Sequence, residues 1–507
     1  MKYRIAFSLI AALSLTGLAA NARADYIEID LGALAKVISE LAGAKLQGID
    51  LGKDSTLTLP GKAIVQGGPN PLLSYTHPNG TVVHFPLEDV KVIRAPTSSQ
   101  QFNKMKARAG RDPEAVMKAA VWALKKGLLL DFYSAIDKVI ELDPKNEAAL
   151  KVRDLKKTMK EPLPQNSEAE KKFRGLVKRP NMKIEMSNHY MLMHDTDPKP
   201  QKGKNKSRAQ LRLDLLEKVY ESFMLLFHAQ DVQLEVPTER MMVVLFKNFD
   251  QFQEFSIAIH PALASALGFY DPLSNVAYFY DFATDDVVQS LDKIAKVFRD
   301  QASDAKKWKN NPDAIRYAKV IDMLLDVQKD NSDITVVSHE CTHQMAGNTG
   351  LFPRHIRTPH WVHEGLASYF EVPSDGVWAG IGAVSRRRVT AFRDLADADR
   401  TKIVSNVDFV VSDQIFQLGS EFGYAFGWGM THFMIENHLK EFIDYYRILG
   451  EVPADVKLNP DLLVKLFHHA VKSSDMSTLD AEWKSYMKSL KTDLEKLEES
   501  EAAKERS

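Results

Sequence analysis

Two short segments of this chain carry side chains whose types and spacing could hold a metal ion. The first runs from His339 to His343 and reads HECTH, an HExxH pattern, and the second contains Glu364. Four residues along an α-helix turn through about 400° and rise about 6 Å, so the two histidines project from one face. One Zn²⁺ can then bind a nitrogen from each. Glu340 lies next to His339, where its carboxylate can hold a water molecule instead of the metal.

The donor types indicate a catalytic site and not a structural one. Two histidines and a glutamate leave one position of a tetrahedral zinc ion open, as catalytic zinc sites do. A structural zinc site would normally use thiolates, and Cys341 is the only cysteine in the chain. Cys341 lies two residues from His339, about 200° around the helix, and so faces away from the metal. We predict that it is a small buried apolar residue.

Two helices must position these ligands. Ser332 or Asp333 is a suitable N-cap for a short helix that carries the histidines, and Gly347 is placed to end it in the left-handed conformation. A second helix is predicted to begin with Thr358 as N-cap and Pro359 at the first helical position. This second helix carries the third ligand.

The segments HECTHQ and WVHEGLASYFE resemble the gluzincin zinc peptidases, in which a downstream glutamate is the third ligand. They are most similar to the peptidase MA-like group of secreted bacterial proteins, and a weaker resemblance extends over residues 182–446. The resemblance implies one Zn²⁺ per chain, held by His339, His343 and Glu364.

The same resemblance implies roles for two further residues. Glu340 would be the general base, and Tyr424, in a late aromatic-rich helix, would stabilise the oxyanion. A tyrosine that is simply packed in the core of that helix is the alternative for Tyr424.

The sequence excludes the metzincin pattern and also departs from the gluzincin pattern at two points. Metzincins need HExxHxxGxxH, but Ala346 and Thr349 occupy the Gly and His positions. Gluzincins carry a carboxylate four residues after the ligand glutamate, where this chain has Ser368, so the group that orients a zinc histidine is left open. The chain also lacks the Gly-x-Met-Glu-Asn segment of the aminopeptidases. His363 points about 100° away from Glu364 on a helix, so only one of the two can face the metal, and the resemblance favours Glu364.

Composition and the first residues indicate an exported protein. Residues 1–24 have a basic start, an apolar stretch and a small-x-small end, which predicts a cleaved secretory signal peptide of bacterial type and a secreted or periplasmic protein. No later run reaches the ~18 apolar residues of a spanning helix, so we expect no stable membrane insertion. The net charge of −1 does not suggest nucleic-acid binding. A single cysteine excludes an internal disulfide.

The chain is predicted to be multidomain. After the signal peptide, residues 25–105 form a small β-rich module with a short helix at 31–41. Residues 106–165 form a short helical module that resembles one tetratricopeptide unit, either a packing adaptor or a peptide-binding repeat. Residues 180–475 form an α+β, gluzincin-type catalytic domain with a mostly helical C-terminal half. Residues 476–507 are a charged tail, helical or disordered.

The sequence therefore predicts an exported zinc-dependent peptidase that acts on a peptide or protein substrate. Within the catalytic domain, the strand at 276–280 is expected to offer an edge to an extended substrate, and the basic stretch 199–212 is expected to be a solvated linker. Two alternatives stay open. One is a zinc-binding interaction protein whose N-terminal modules bind a protein partner, with weak or no catalysis. The other is a zinc hydrolase of a non-peptide amide, such as a cell-wall bond.

Overall fold

A computed structural model describes most of the chain: residues 25–30, 56–164, 167–201, 204–285, 312–354, 358–371, 380–397 and 407–505, with short pieces between 288 and 300 and between 373 and 378. The predicted signal peptide at 1–24 and the predicted helix at 31–41 lie outside the described residues. Within the described ranges, no helix is both long enough and apolar enough to cross a membrane.

The N-terminal region is β-rich, as predicted. Five antiparallel strands form one sheet in the order β4-β3-β2-β1-β5: β1 Asp25–Asp30, β2 Thr56–Gln66, β3 Leu72–Thr76, β4 Val82–Pro86 and β5 Val90–Arg94. Alternate residues of β3 and β4 are buried, among them Leu73, Tyr75, Val83 and Phe85. This two-residue period is that of a sheet with one face on a core.

Five helices follow and join this sheet to the rest of the molecule: α1 Ser98–Ala109, α2 Pro113–Lys125, α3 Leu129–Leu142, α4 Glu147–Thr158 and α5 Ser167–Val177. Their starts are locally encoded, since Asp112 caps α2 and Asn146 caps α4 through their side chains. Their buried residues belong to the same hydrophobic core as the C-terminal half. These helices therefore pack onto the C-terminal half, while the tetratricopeptide likeness and the choice between a packing adaptor and a peptide-binding repeat stay predictions.

A mixed five-stranded sheet comes next, in the order β6-β7-β8-β10-β9: β6 Lys183–Met186, β7 Tyr190–His194, β8 Met241–Phe246, β9 Gly268–Asp271 and β10 Val276–Tyr280. Strands β7, β8 and β10 are parallel, and β9 is an antiparallel edge. The prediction of an edge at 276–280 is wrong, because β10 pairs with β8 on one side and β9 on the other. Helices α6 Arg208–His228 and α7 Phe249–Ile259 connect these strands.

The helix that carries the HExxH segment, α8, is much longer than expected. It runs over Pro312–Asn348, 37 residues, without a break at Ser332 or Asp333. Asp333 lies inside the helix and therefore does not cap it. Its buried carboxylate instead accepts from Arg208 at 2.8 Å and from Arg212 at 2.7 Å. The prediction of a solvated linker is therefore wrong for these two arginines, which lie buried in α6. The left-handed glycine after α8 is Gly350, with φ 72°, and not the expected Gly347.

The remaining chain is mostly helical, as predicted. After α9 His360–Phe370 and a short hairpin, β11 Pro373–Ser374 and β12 Val377–Trp378, come α10 Arg386–Asp397, α11 Val407–Val411, α12 Ser420–Asn437, α13 Leu439–Glu451, α14 Pro460–Ala470, α15 Ser477–Ser489 and α16 Asp493–Glu505. Helix α9 packs closely across α12, since a Cβ on Gly365 would lie only 2.7 Å from the backbone oxygen of Gly427. The second helix of the site is thereby held against the core.

Candidate metal centre

Helices α8 and α9 bring the three predicted ligands together. Nε2 of His339 lies 3.0 Å from Oε2 of Glu364, and Nε2 of His343 lies 3.9 Å from Oε1 of the same carboxylate. One ligand atom from each residue falls within 4.8 Å of the others. Tetrahedral zinc ligands at about 2.0–2.1 Å from the ion would be about 3.3–3.4 Å apart. The group can therefore hold a metal ion after small side-chain adjustments.

His339 and Glu364 each change the pKa of the other. Burial alone lowers the pKa of His339, but hydrogen bonds to Glu364 and Glu371 outweigh it and raise that pKa well above its usual value. Burial alone raises the pKa of Glu364, but the hydrogen bond from His339 and the nearby histidines bring it well below its usual value. Buried charges of this kind require a partner, and the site supplies one.

The start of α9 is fixed from a distant part of the chain. Its N-cap is Pro359, which has no side-chain acceptor, so the predicted cap at Thr358 is wrong. The backbone N–H groups of His360 and Trp361 instead donate to the two carboxylate oxygens of Asp413, at 2.8 and 2.9 Å. A carboxylate at a helix N-terminus satisfies unpaired donors and complements the helix dipole. This contact helps to set where Glu364 points.

The carboxylate that orients His339 is Glu371, which the sequence reasoning missed. Nδ1–H of His339 donates to Oε2 of Glu371 at 2.7 Å, and Oε1 of Glu371 accepts from Arg388 at 2.6 Å. Ser368, at the expected position, accepts from Arg388 at 3.3 Å instead. The signal was present, because seven residues after Glu364 is two helical turns and returns to the same face.

His363 contacts the second histidine and lies outside the group of three residues that could hold a metal ion. Its Nδ1 lies 2.8 Å from Nδ1 of His343, while Nε2 of His343 faces Glu364. Burial is the main reason that the pKa of His363 falls to about 4, so the ring is neutral and can accept the proton on Nδ1 of His343. A second nitrogen held in this way fixes the orientation of a metal-binding imidazole.

Glu340 lies beside the ligands and faces the edge strand. Glu340 is buried, with 8% of the residue exposed, and the backbone of Tyr270 in β9 lies near enough to act on the pKa of its carboxylate. Burial is the largest cause that raises the pKa of Glu340 to about 7, with Glu364 adding to the rise and His339 opposing it. Glu340 therefore lies close both to the three candidate ligands and to β9, whose other edge is open in the described part of the sheet.

A network of amide side chains anchors that strand to α8. Asn348 Nδ2 donates to Oδ1 of Asn275 at 2.8 Å, and the Tyr270 hydroxyl donates to the same oxygen at 2.8 Å. One turn earlier, Gln344 Nε2 donates to the backbone oxygen of Asn275 at 3.0 Å. Gln344 and Asn348 follow Glu340 at four-residue spacing, so one face of α8 holds both the carboxylate and the strand above it.

Tyr424, predicted from the resemblance, lies at the cluster. Its ring centroid lies 5.0 Å from the Arg388 guanidinium carbon, and its phenol lies near enough to the Glu364 carboxylate to interact with it. Burial is the main cause that raises the pKa of this phenol, so it stays protonated and can donate a hydrogen bond. Cys341 is buried on the opposite side of α8, with its Sγ 2.9 Å from the Tyr190 hydroxyl, which confirms that it does not face the metal group.

One family model matches the part of the chain that contains this centre, and its description assigns no chemistry. Residues 333–454 match a family described as a protein of unknown function, DUF1570. The match begins inside α8 and ends just after α13, so it includes the three ligand candidates, Glu340 and Tyr424. No curated protein and no solved structure matches the chain.

Proposed function

We propose that this chain is a zinc-dependent peptidase that hydrolyses peptide bonds, with Glu340 as the general base. The observation that carries the proposal is the group of His339, His343 and Glu364, buried or partly buried, with a further carboxylate beside it. Two imidazoles and one carboxylate are the donors of catalytic zinc sites, which keep one position open. The resemblance to gluzincins supports the same choice of metal.

The residues around the three candidate ligands would have two kinds of role, metal binding and catalysis. His339, His343 and Glu364 would hold Zn²⁺, and Glu371 and His363 would orient the two imidazoles. Bound zinc supplies Lewis acidity, which polarises a carbonyl oxygen and makes water a better nucleophile. These donors fit zinc because no thiolate or main-chain oxygen is needed to complete the set.

Glu340 and Tyr424 would perform the proton transfer and charge stabilisation. Glu340 accepts a proton from the attacking water and then delivers it to the leaving amine. The protonated hydroxyl of Tyr424 donates a hydrogen bond to the negative charge that develops on the carbonyl oxygen. For this step the hydroxyl would turn from Glu364 towards the substrate.

The edge strand β9 suits a polypeptide substrate. In the described part of the sheet, β9 pairs with β10 and leaves its other edge available, and the backbone of its Tyr270 lies near Glu340. An extended peptide could add to this edge as a further strand, with main-chain hydrogen bonds that do not depend on sequence. Export would give this activity a secreted or periplasmic setting, with a mature N-terminus at Asp25.

The test is Glu340→Gln, compared with the parent protein for zinc content and for activity on casein and on a cell-wall preparation. The amide has nearly the same shape as the carboxylate, so zinc should be retained while casein cleavage falls by about 10²–10⁴. Release of cell-wall amides without casein cleavage would favour the non-peptide hydrolase. Bound zinc with neither activity would favour the interaction protein.

A further inference from the structure

Beside His343 lies a small cavity of about 70 Å³. A much wider groove of about 590 Å³ lies next to it, over the C-terminal end of α8. The two spaces share a set of lining residues: Gly347, Phe352, Pro353, Arg354 and Tyr446. The side chains that separate the cavity from the groove therefore determine the volume available next to the three candidate ligands.

Arg354 forms part of that partition. A Cβ built on Gly347 would lie 2.7 Å from Cγ and 3.2 Å from Cδ of Arg354, so the arginine stem lies directly on the backbone of α8. The hydroxyl of Tyr270, in the edge strand, lies 3.3 Å from the same Cβ position, beside the arginine stem. Arg354 thus reaches from the metal helix to β9 across the boundary between the two spaces, with its apolar stem against the protein.

The small cavity has an apolar lining away from the histidines. Ala346, Phe352, Pro353 and Leu366 belong to it, and among the described residues no carboxylate lines the cavity. A charged side chain would lose its hydration there without gaining an opposite charge, apart from the exposed Arg354. Since a dry protein cavity that binds benzene measures about 150 Å³, a space of about 70 Å³ is too small for an aromatic ring.

We propose that this cavity binds the substrate side chain next to the cleaved bond, that it selects aliphatic side chains of valine to leucine size, and that Arg354 determines this size limit. His343 is the one candidate ligand that lines the cavity, so the proposed occupant lies beside the metal position. The inference rests on the proposed peptidase function and adds the substrate class to it. Without Arg354 the cavity opens into the wider groove, where an aromatic ring can extend.

The experiment compares peptides that carry Gly, Val, Leu, Phe or Trp on either side of the cleaved bond. At one of the two positions, the parent protein should show kcat/KM at least about tenfold higher for Val and Leu than for Phe and Trp, the scale on which pockets distinguish apolar groups. Arg354→Ala should raise kcat/KM for the Phe and Trp peptides about tenfold and change the Leu peptide by less than about threefold.

Arg447→Ala is the matched control, because Arg447 lines only the wider groove and its removal leaves the partition in place. Its peptide profile should equal that of the parent. Equal cleavage of all five side chains at both positions, a parent preference for Phe, or an Arg354→Ala profile identical to the parent would overturn the proposal. Thermal unfolding of both variants verifies that each is folded.

A binding measurement separates failure of this inference from failure of the proposed function. Calorimetric titration of the zinc-loaded protein with leucine hydroxamate and phenylalanine hydroxamate should rank leucine above phenylalanine, and Arg354→Ala should remove that ranking. If no peptide is cleaved but the ranking holds, the peptidase proposal fails and the pocket stands. If peptides are cleaved and neither measurement shows a ranking, the pocket proposal fails alone.

Discussion

The two halves of helix α8 have opposite kinds of surroundings. In its first half, Val320, Met323, Leu324 and Val327 are buried against the N-terminal sheet in a separate hydrophobic core. In its second half, His339, Glu340 and His343 face polar partners, while Cys341 and Met345 pack into the main core. One continuous helix therefore links the N-terminal sheet to the metal group.

This difference shows how much each half depends on individual side chains. In the first half, any apolar residue of suitable volume can fill the contact, because hydrophobic burial has no direction. In the second half, each polar group has a particular partner at hydrogen-bond distance, and loss of one leaves another buried and unpaired. We therefore expect changes in the first half to alter stability, and changes in the second half to alter metal binding.

The largest expected effect is in the second half, at the third ligand. Glu364→Gln should weaken zinc binding by more than about 100-fold, because even partners outside the ligand set change metal affinity by about 10–100-fold. The neighbouring His363→Ala should weaken it less, since His363 contacts His343 and not the metal position. Competition with a chromophoric zinc chelator measures both. A larger loss in His363→Ala would make that imidazole the ligand.

In the first half, Leu324→Ala should lower the free energy of unfolding by about 2–5 kcal/mol, because it leaves a cavity in the core between α8 and the N-terminal sheet. Zinc affinity of the folded variant should stay within about threefold of the parent. Urea unfolding and the chelator competition measure the two quantities. A strong loss of zinc affinity in folded Leu324→Ala would contradict the division of the helix into two halves.

The N-terminal sheet should also be sensitive to acid. His77, in the turn between β3 and β4, is 1% exposed, and burial is the main cause that lowers its pKa to about 4. The unfolded chain binds this proton near pH 6.5 and the folded chain only near pH 4. Stability is therefore full above about pH 6.5 and falls as the pH drops to 4, by about 3 kcal/mol in total.

Urea unfolding at several pH values between 7 and 4.5 measures this loss. His77→Asn removes the titrating group and should flatten the pH dependence by the same amount. His84→Asn, on the exposed side of β4, is the control for replacing a histidine of the same sheet by asparagine. An unaltered slope in His77→Asn would assign the acid sensitivity to another group.

The smallest expected effect concerns which residue orients His339, Glu371 or Ser368. Glu371→Gln should weaken zinc binding by about 10–100-fold, because a neutral amide accepts the His339 proton more weakly and leaves Arg388 without its buried carboxylate. Ser368→Ala should change zinc affinity by less than about threefold, since Ser368 contacts Arg388 and not a ligand. If Ser368→Ala has the larger effect, the orienting role belongs to Ser368.

Short-range features of this protein could be predicted from its sequence. Helical periodicity alone places His339 and His343 on one face and Cys341 on the other, because the geometry of consecutive residues is set by the backbone. The alternation of buried residues in β3 and β4 has the same local origin. The grouping of Glu364 with the histidines was predicted from the resemblance of two segments and not from spacing.

Only the tertiary structure decided which distant residues complete each local element. Asp413 caps α9, and Arg388 forms an ion pair with Glu371. Arg208 and Arg212 bind Asp333 at the position where α8 was expected to begin, and the helix continues there without a break. The order of the second sheet likewise makes β9 the edge above Glu340. Which partner a polar side chain binds depends on the total free energy of burial and hydrogen bonding with local and distant partners. The local sequence contains the local partners but not the distant ones.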